Sequence, residues 1–259
     1  MNTFRPVLPV TNATLETIVS HRSVRDYLDE PVGDAELQSM FIAAQSASTS
    51  SNLNAWSAVV VTDPGRKDRL QRMTGGNPFI REAPVFIVWV ADFSRNVALC
   101  APEPPPETLQ YQESTLIGAI DAALAAQTAA IAAESMGLGV CYVGGIRTNM
   151  RQVTDFLGLP EFSFPVFGMT VGHPDPKAQA GVRPRLPVSA QVFSEKYDGE
   201  SALAGVEDLE ASNRQYYEGQ GRPGMSWKWA TRRRTEDVTL MRGREKNSEV
   251  LSSQGLPGL

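Results

Sequence analysis

The feature that most constrains this chain is a long central run of small apolar residues, "IGAIDAALAAQTAAIAAESMGLGVCYVGG", residues 117–145. It predicts one helix from about Tyr111 to Met136, with Gly137 placed as a C-cap glycine. A membrane span takes about 20 strongly apolar residues, whereas this run consists mostly of alanines. Three polar side chains interrupt it: Asp121, Gln127 and Glu134. We therefore expect a buried helix in a soluble protein, packed either against a sheet or inside a dimer.

Strands and shorter helices are predicted on both sides of this helix. Strands are indicated by the β-branched or apolar runs at residues 57–63, 85–93, 139–145 and 165–174. Helices are indicated at residues 14–18, 31–48, 64–73 and 148–160, the first two with Thr14 and Asp34 as N-caps. Residues 74–84 and 100–110 are expected to be loops. The pattern as a whole predicts an α+β sandwich.

Composition excludes several classes of protein. The chain has 259 residues and a net charge of -5, which disfavours a general nucleic-acid binder. Its two cysteines, Cys100 and Cys141, and its two histidines, His21 and His173, predict neither a disulfide framework nor a metal site. The N-terminal residues lack the long apolar run of a secretory signal. We therefore expect a cytoplasmic protein without a nucleic-acid or membrane partner.

Two cation clusters stand far apart in this acidic chain. "HRSVR", residues 21–25, offers a histidine, a hydroxyl and two guanidiniums, and "RPRLP", residues 183–187, offers two arginines beside two prolines. Arginine matches phosphate geometry and stays charged at neutral pH. The residue chemistry leaves two interpretations open: solvated surface loops, or a shared site for a phosphorylated ligand.

Other polar segments are ambiguous in the same way. "STSSN", residues 48–52, is either a helix end or a source of hydroxyl donors. The glycine pair of "YVGGIR", residues 142–147, is either a turn or a place where backbone amides approach a flat ligand. The chain has no G-x-S-x-G or Walker-type motif, and no G-x-G-x-x-G follows a first strand, so a serine hydrolase and the common nucleotide-binding folds are not expected.

Taken in order, these segments resemble the FMN-dependent nitroreductase family. The resemblance rests on "HRSVRDYLDEPV", "VADFSRN", "LIGAIDAALAAQTAAIAAESMGLGVCYVGGIRTN", "LGLPEFSFPVFGMTVGHPD" and "RPRLP", and it covers mainly residues 14–197. It points to the branch of the major oxygen-insensitive bacterial nitroreductase and the NADPH–flavin oxidoreductase. It implies a three-layer sandwich with a mixed, mostly antiparallel sheet, and an intertwined homodimer with two FMN sites at the interface.

The resemblance also implies roles for particular residues. Those that match the FMN phosphate positions are His21, Ser23, Arg183 and Arg185, and Arg22 in the same first loop is a further candidate for cofactor binding. Arg25 matches the cation near N1 and O2 of the flavin ring, and Asn77 matches an amide at the polar edge of the ring, where related proteins carry glutamine. Those that match the backbone facing N5 are Val143, Gly144 and Gly145. Those that match a loop supplied by the other subunit are Thr49, Ser50 and Ser51.

The implied activity is a ping-pong transfer of two electrons from NADPH or NADH, through FMN, to nitroaromatics, quinones or free flavin. The cofactor supplies the chemistry, so no side chain is expected to act as a catalytic acid or nucleophile. Two alternatives remain open: a dedicated flavin reductase that feeds a monooxygenase, and a flavin-binding protein without catalytic activity.

The C-terminal part departs from the family pattern. The resemblance divides the chain into an FMN-binding domain, residues 1–197, and an extension, residues 198–259, expected to wrap around the dimer and to contact NAD(P)H. Gln220 stands where an arginine is expected, with Arg222 close by, so Arg222 is our candidate for binding NAD(P)H. The basic run at residues 232–234 is either a further contact for NAD(P)H or a solvated tail. The sequence does not decide between NADPH and NADH.

Overall fold

A computed structural model describes residues 4–177 and 180–257. The chain divides into two compact units. Unit one comprises Met1–Arg22 and Gln179–Met241, and unit two comprises Ser23–Ala178 and Arg242–Leu259.

The described part of unit two is built on a four-stranded sheet. The strands are β1 (Trp56–Val61), β2 (Val85–Asp92), β3 (Gly139–Val143) and β4 (Ser163–Gly172). Their order is β1-β2-β4-β3 and each neighbouring pair is antiparallel. A single parallel bridge joins Ser23 to Val140 beside the sheet. Every residue of β2 is buried, so the prediction of a strand covered on both faces is confirmed.

Helices cover both faces of this sheet. The helices of unit two are α2 (Asp34–Gln45), α3 (Pro64–Met73), α4 (Phe79–Glu82), α5 (Ser94–Leu99), α6 (Gln112–Ser135), α7 (Met150–Leu157) and α11 (Asn247–Ser253). Alternate side chains of β2 point to opposite faces, as the pleat of a strand requires. Ile87 and its alternating neighbours pack with α2 and α6, whereas Val88 and its neighbours pack with α3, α4 and α7. The predicted α+β sandwich is confirmed.

Helix α6 is the predicted alanine-rich helix. Six alanines, Gly118 and Ser114 lie on its buried face together with Asp121, whose exposed fraction is 0%. The helix ends before Gly137, which adopts the left-handed conformation (φ 84°) expected of a C-cap glycine. By length and composition α6 could cross a membrane, since the mean hydropathy of its most apolar window is 1.6. Here it packs on α2 and the sheet, which agrees with the prediction of a buried helix.

The helices of unit one are α1 (Ala13–Val19), α8 (Gly199–Leu203), α9 (Val206–Gly219) and α10 (Trp227–Thr235). Helix α9 carries Tyr216 and Tyr217, and the Arg183 guanidinium lies 5.9 Å and 5.7 Å from the centres of their rings. The basic segment after Gly181 is therefore held against α9. The run of residues 232–234 lies at the end of α10, so it is helical and not an irregular tail.

Several details of the predicted elements were wrong. Asn12 caps α1, because its Oδ1 accepts from the Leu15 N–H (2.9 Å), so Thr14 is not the cap. Helix α2 is capped at Gly33, and Asp34 is its first helical residue. Residues 74–84, predicted as a loop, contain α4, a helix too short for hydrophobic periodicity to reveal.

Candidate functional site

Arg25 carries a cation that is available to a ligand. It is half-buried, its Nη1 donates to the Ser23 carbonyl oxygen (3.3 Å), and its guanidinium lies 5.8 Å from the centre of the Phe79 ring. Within residues 4–177 and 180–257, no carboxylate pairs with it. The segment that carries Arg25 is fixed beside β3, because the Val24 N–H donates to the Val140 carbonyl oxygen (2.9 Å).

The end of β3 presents backbone with no side chain in the way. The strand ends at Val143 and passes into a short 3-10 helix, Gly144–Arg147. A Cβ added to Gly144 would meet nothing closer than an Arg147 nitrogen at 3.5 Å, which is ordinary contact. A Cβ on Gly145 would lie 2.4 Å from the Thr74 carbonyl oxygen. Gly145 is therefore required by close approach of the backbone, whereas a Cβ at Gly144 would be accommodated without a clash.

The loop that begins at Thr74 brings Asn77 to the same region. Asn149 Nδ2 donates to the Met73 carbonyl oxygen (2.7 Å), which fixes the start of the loop beside the end of β3. Gly75 and Gly76 then take the left-handed conformation (φ 91° and 83°). The half-buried Asn77 side chain has no hydrogen-bond partner among the described residues. Asn77 lies two residues before the Phe79 ring that Arg25 contacts.

Unit two thus brings together three of the predicted elements: the Arg25 cation, the Asn77 amide and the glycine-lined end of β3. The contact of Arg25 with Phe79 and the approach of Gly145 to Thr74 link them. This arrangement offers a positive charge, an amide and open backbone, which suits a flat ligand with a polar, electron-rich edge.

Tyr142 of β3 is not set up to exchange protons at neutral pH. Burial raises the pKa of Tyr142 above its usual range, and nearby Glu134 raises it further. The Tyr142 hydroxyl donates to Gln127 Oε1 (3.3 Å). Tyr142 therefore stays neutral at physiological pH.

The predicted loop Thr49–Ser51 lies elsewhere in unit two. It forms a short 3-10 turn, Ser50–Asn52, and the Ser50 N–H donates to Asp121 Oδ1 (2.9 Å) on α6. No described contact joins this loop to Arg25, Asn77 or the end of β3. The role of this loop at the site of another subunit stays a prediction.

The remaining predicted residues lie in unit one, apart from Ser23. Arg185 is exposed, and its Nη1 donates to the Arg183 carbonyl oxygen (3.3 Å). The His21 N–H donates to the Ile18 carbonyl oxygen (3.2 Å), and Arg22 is exposed. Arg222 is exposed and its N–H donates to the Tyr217 carbonyl oxygen (2.9 Å). No carboxylate pairs with Arg183 or Arg185 in the described part of the chain.

The sequence analysis did not identify two residues that hold predicted site residues in place. Phe79 supports Arg25, and an isolated aromatic residue gives no signal of this. Asp121 was noted only as an interruption of the alanine run, yet its Oδ2 also accepts from the Ala55 N–H (3.1 Å). A carboxylate inside an apolar helix was the available signal, because buried carboxylates require partners.

Comparison with known proteins gives consistent matches over most of the chain. The model described as "Nitroreductase family" matches residues 18–173, and that described as "Nitroreductase family, C-terminal domain" matches residues 183–258. The chain is 41% identical over 189 residues to "FMN reductase (NADPH)" of Bacillus subtilis, covering 72% of this chain and 75% of the relative.

Two further matches point the same way. The chain is 39% identical over 184 residues to "Oxygen-insensitive NADPH nitroreductase" of Salmonella typhimurium, covering 71% of this chain and 74% of the relative. Its structure is similar to that of the NADPH:FMN oxidoreductase from Vibrio harveyi complexed with NAD+, with a TM-score of 0.81 and 33% identity, covering 95% and 99% of the two chains.

Proposed function

Because the chain belongs to the nitroreductase family, we propose that it is an FMN-dependent NAD(P)H oxidoreductase. It transfers two electrons at a time to small acceptors such as nitroaromatics, quinones or free flavin. The names of its relatives support both halves of this activity, since one is an FMN reductase and another a nitroreductase.

The residues of unit two fit the flavin ring. Among the described residues, Arg25 has no carboxylate partner and the Asn77 side chain has no hydrogen-bond partner. A Cβ at Gly144 would occupy space that is open here. Bound FMN would supply the redox chemistry by accepting hydride and returning two electrons. In this role Arg25 stabilises negative charge at the N1 and O2 edge, and Asn77 orients the polar edge of the ring. Gly144 lets the ring approach the backbone.

The groups that we propose for the FMN phosphate are His21, Arg22, Ser23, Arg183 and Arg185. Support comes from the chemistry of the arginine fork and from the absence of a carboxylate beside the described Arg183 and Arg185. The cation–π contacts of Arg183 with Tyr216 and Tyr217 reduce the conformational freedom that a bound phosphate would otherwise remove.

We assign NAD(P)H contact to Arg222. It is exposed in a glycine-rich turn, where Gly221 and Gly224 both adopt positive φ. NADPH is the donor in the names of both curated relatives, which favours NADPH for this chain over NADH. The 2′-phosphate of NADPH is the group that an additional arginine would recognise.

We propose that the protein acts as a homodimer in the cytoplasm. Helix α6 exposes an apolar stripe of Leu116 (56%), Ile120 (54%) and Leu124 (42%), spaced four residues apart on one helix face. A second copy packed on this stripe would remove it from water and would bring Thr49, Ser50 and Ser51 to the FMN of the partner. The division into residues 1–197 and an extension of residues 198–259 also stays a prediction.

The available cation beside the glycine-lined end of β3 is the observation on which this proposal mainly rests. Steady-state turnover tests it, with NADPH or NADH as donor and a nitrofuran, a quinone or free FMN as acceptor. We expect turnover of all three acceptors. Turnover of FMN alone would indicate a dedicated flavin reductase, and bound flavin without turnover of any acceptor would indicate a non-catalytic flavin protein.

A further inference from the structure

We propose that Asp121 is a positioning residue that acts on the FMN site of the opposite subunit. The proposal rests on the function proposed above, in which the loop Thr49–Ser51 contacts the FMN of the partner. Nothing in the family resemblance assigned a role to Asp121. The argument comes from how this carboxylate holds the loop.

Asp121 fastens the loop at both ends. Its Oδ1 accepts from the Ser50 N–H (2.9 Å) and its Oδ2 accepts from the Ala55 N–H (3.1 Å). The carboxylate is fully buried, so its two oxygens and the two backbone groups depend on each other for hydrogen bonds. Loss of one oxygen as acceptor would leave a backbone N–H without a partner, which destabilises the observed form of the loop.

The loop between these two points needs such fastening. Ser51, Asn52 and Asn54 all take the left-handed conformation, with φ of 47°, 57° and 51°. Residues other than glycine rarely adopt it, because the conformation is strained for a residue with a side chain. The surroundings must therefore hold the loop in its observed form.

The position of Asp121 on α6 connects the loop to the proposed dimer surface. Ile120, its neighbour in sequence, is 54% exposed in the apolar stripe, while Asp121 points into the protein. A second copy on the stripe would thus be placed against the same helical turn to which the loop is fastened. Asp121 therefore determines the position of the Ser50 and Ser51 donors relative to the partner subunit.

The test uses Asp121→Asn, which keeps the size of the side chain but replaces one acceptor oxygen with a donor. We expect the homodimer of this variant to bind FMN about tenfold more weakly than the wild type, by fluorescence titration of apoprotein. Ser114→Ala is the matched control, because the buried Ser114 of α6 donates to the Thr108 carbonyl oxygen (2.8 Å) far from the loop. The Ser114→Ala variant should have a lower melting temperature than the wild type but the same affinity for FMN.

Mixed dimers separate action on the partner's site from a general structural defect. Each site would combine Arg25 of one subunit with the loop of the other. A dimer of one Asp121→Asn subunit and one Arg25→Ala subunit would therefore hold one intact site and one doubly altered site. We expect one FMN per mixed dimer at wild-type affinity, with the absorption band shape of the wild type.

If Asp121 acted only within its own subunit, each site of the mixed dimer would carry a single alteration and no wild-type site would remain. That result would overturn the proposal, as would equal FMN affinity of Asp121→Asn and wild type. Wild-type protein that binds no FMN would instead refute the proposed function. Should Asp121→Asn not fold, the exposed loop variant Asn54→Val replaces it, since a β-branched residue strains the left-handed position, and the same mixed-dimer result is expected.

Discussion

Gly145 and the carbonyl oxygen of Thr74 approach so closely that a Cβ on Gly145 would lie 2.4 Å from that oxygen. This contact joins the end of β3 to the loop that carries Asn77. The end of β3 and this loop, about 70 residues apart in the sequence, therefore lie side by side.

Substitution of the two neighbouring glycines should separate packing from ligand contact. Gly145→Ala should destabilise the fold by about 1–3 kcal/mol, as overpacking does, and should weaken FMN binding because Asn77 moves. Gly144→Ala meets only an Arg147 nitrogen at 3.5 Å, so it should leave the stability of the apoprotein unchanged and still weaken FMN binding. Urea unfolding and FMN titration measure both. Full FMN affinity in Gly144→Ala would show that the ring does not approach this backbone.

Removal of the Arg25 cation should weaken the hold on the flavin and slow its reduction. We expect Arg25→Ala to lose FMN about tenfold more readily, the effect of about 1.4 kcal/mol of binding free energy. Arg66→Ala is the control, because Arg66 also lies over a phenylalanine ring, 4.4 Å from the centre of Phe156. FMN content after purification and anaerobic stopped-flow reduction are the measurements. Equal values for Arg25→Ala and the control would remove the role assigned to Arg25.

Sequence patterns predicted the main helices and strands of the fold but not the tertiary contacts between them. Helix α6 and strand β2 were predictable because each is long for its type and predominantly apolar. Helix α4 was not, because four residues after Pro78 are too few to show a period. The choice of Asn12 over Thr14 as the cap of α1 depends on where the chain enters the helix, and both residues suit a cap.

In the candidate site, too, the residue types were predictable from the sequence but the contacts between them were not. Residue types suggested the cations and glycines, and the family resemblance suggested their roles. That Phe79 lies under Arg25, or that Asp121 binds Ser50 and Ala55, depends on how distant segments pack. No local pattern carries that information.

The buried carboxylate Asp92 should make stability depend on acid pH. Burial raises the pKa of Asp92, but hydrogen bonds from Ser57 and Ser94 and the charge of Arg95 outweigh burial, so the pKa lies below its ordinary value. Because the unfolded chain has an aspartate pKa of about 3.9, this stabilisation is complete above that pH and is lost as pH falls through the lower folded value.

Replacement of Asp92 by asparagine should therefore lower the stability of the fold at neutral pH but not in acid. Asp92→Asn should lower the free energy of unfolding by about 1–3 kcal/mol at pH 7, and the difference from wild type should shrink below about pH 4. Urea unfolding at a series of pH values measures it. A difference that stays constant with pH would show that the charge of Asp92 does not stabilise the fold.

Coenzyme preference should respond to Arg222 more than to the basic end of α10. Arg222→Ala should raise the KM for NADPH about tenfold and leave the KM for NADH nearly unchanged, since one charged hydrogen bond to phosphate contributes about 1.5–3 kcal/mol. Arg234→Ala, a change of another exposed arginine of unit one, serves as the control. An equal rise for both coenzymes would mean that Arg222 does not bind the 2′-phosphate.

The apolar stripe of α6 should be required for both assembly and cofactor binding. Ile120→Glu places a charge in the proposed interface and should give a monomer that retains little FMN. Val60→Glu is the control, because Val60 is similarly exposed (41%) but lies on β1. Sedimentation and FMN content give the outcome. A dimeric Ile120→Glu protein would place the interface elsewhere.

The visible absorption spectrum of the purified full chain, before and after anaerobic addition of NADPH, tests the central claim most directly. We expect a flavin spectrum that corresponds to one FMN per subunit, and loss of its absorbance when NADPH is added. Colourless protein that acquires no flavin from added FMN would contradict the account.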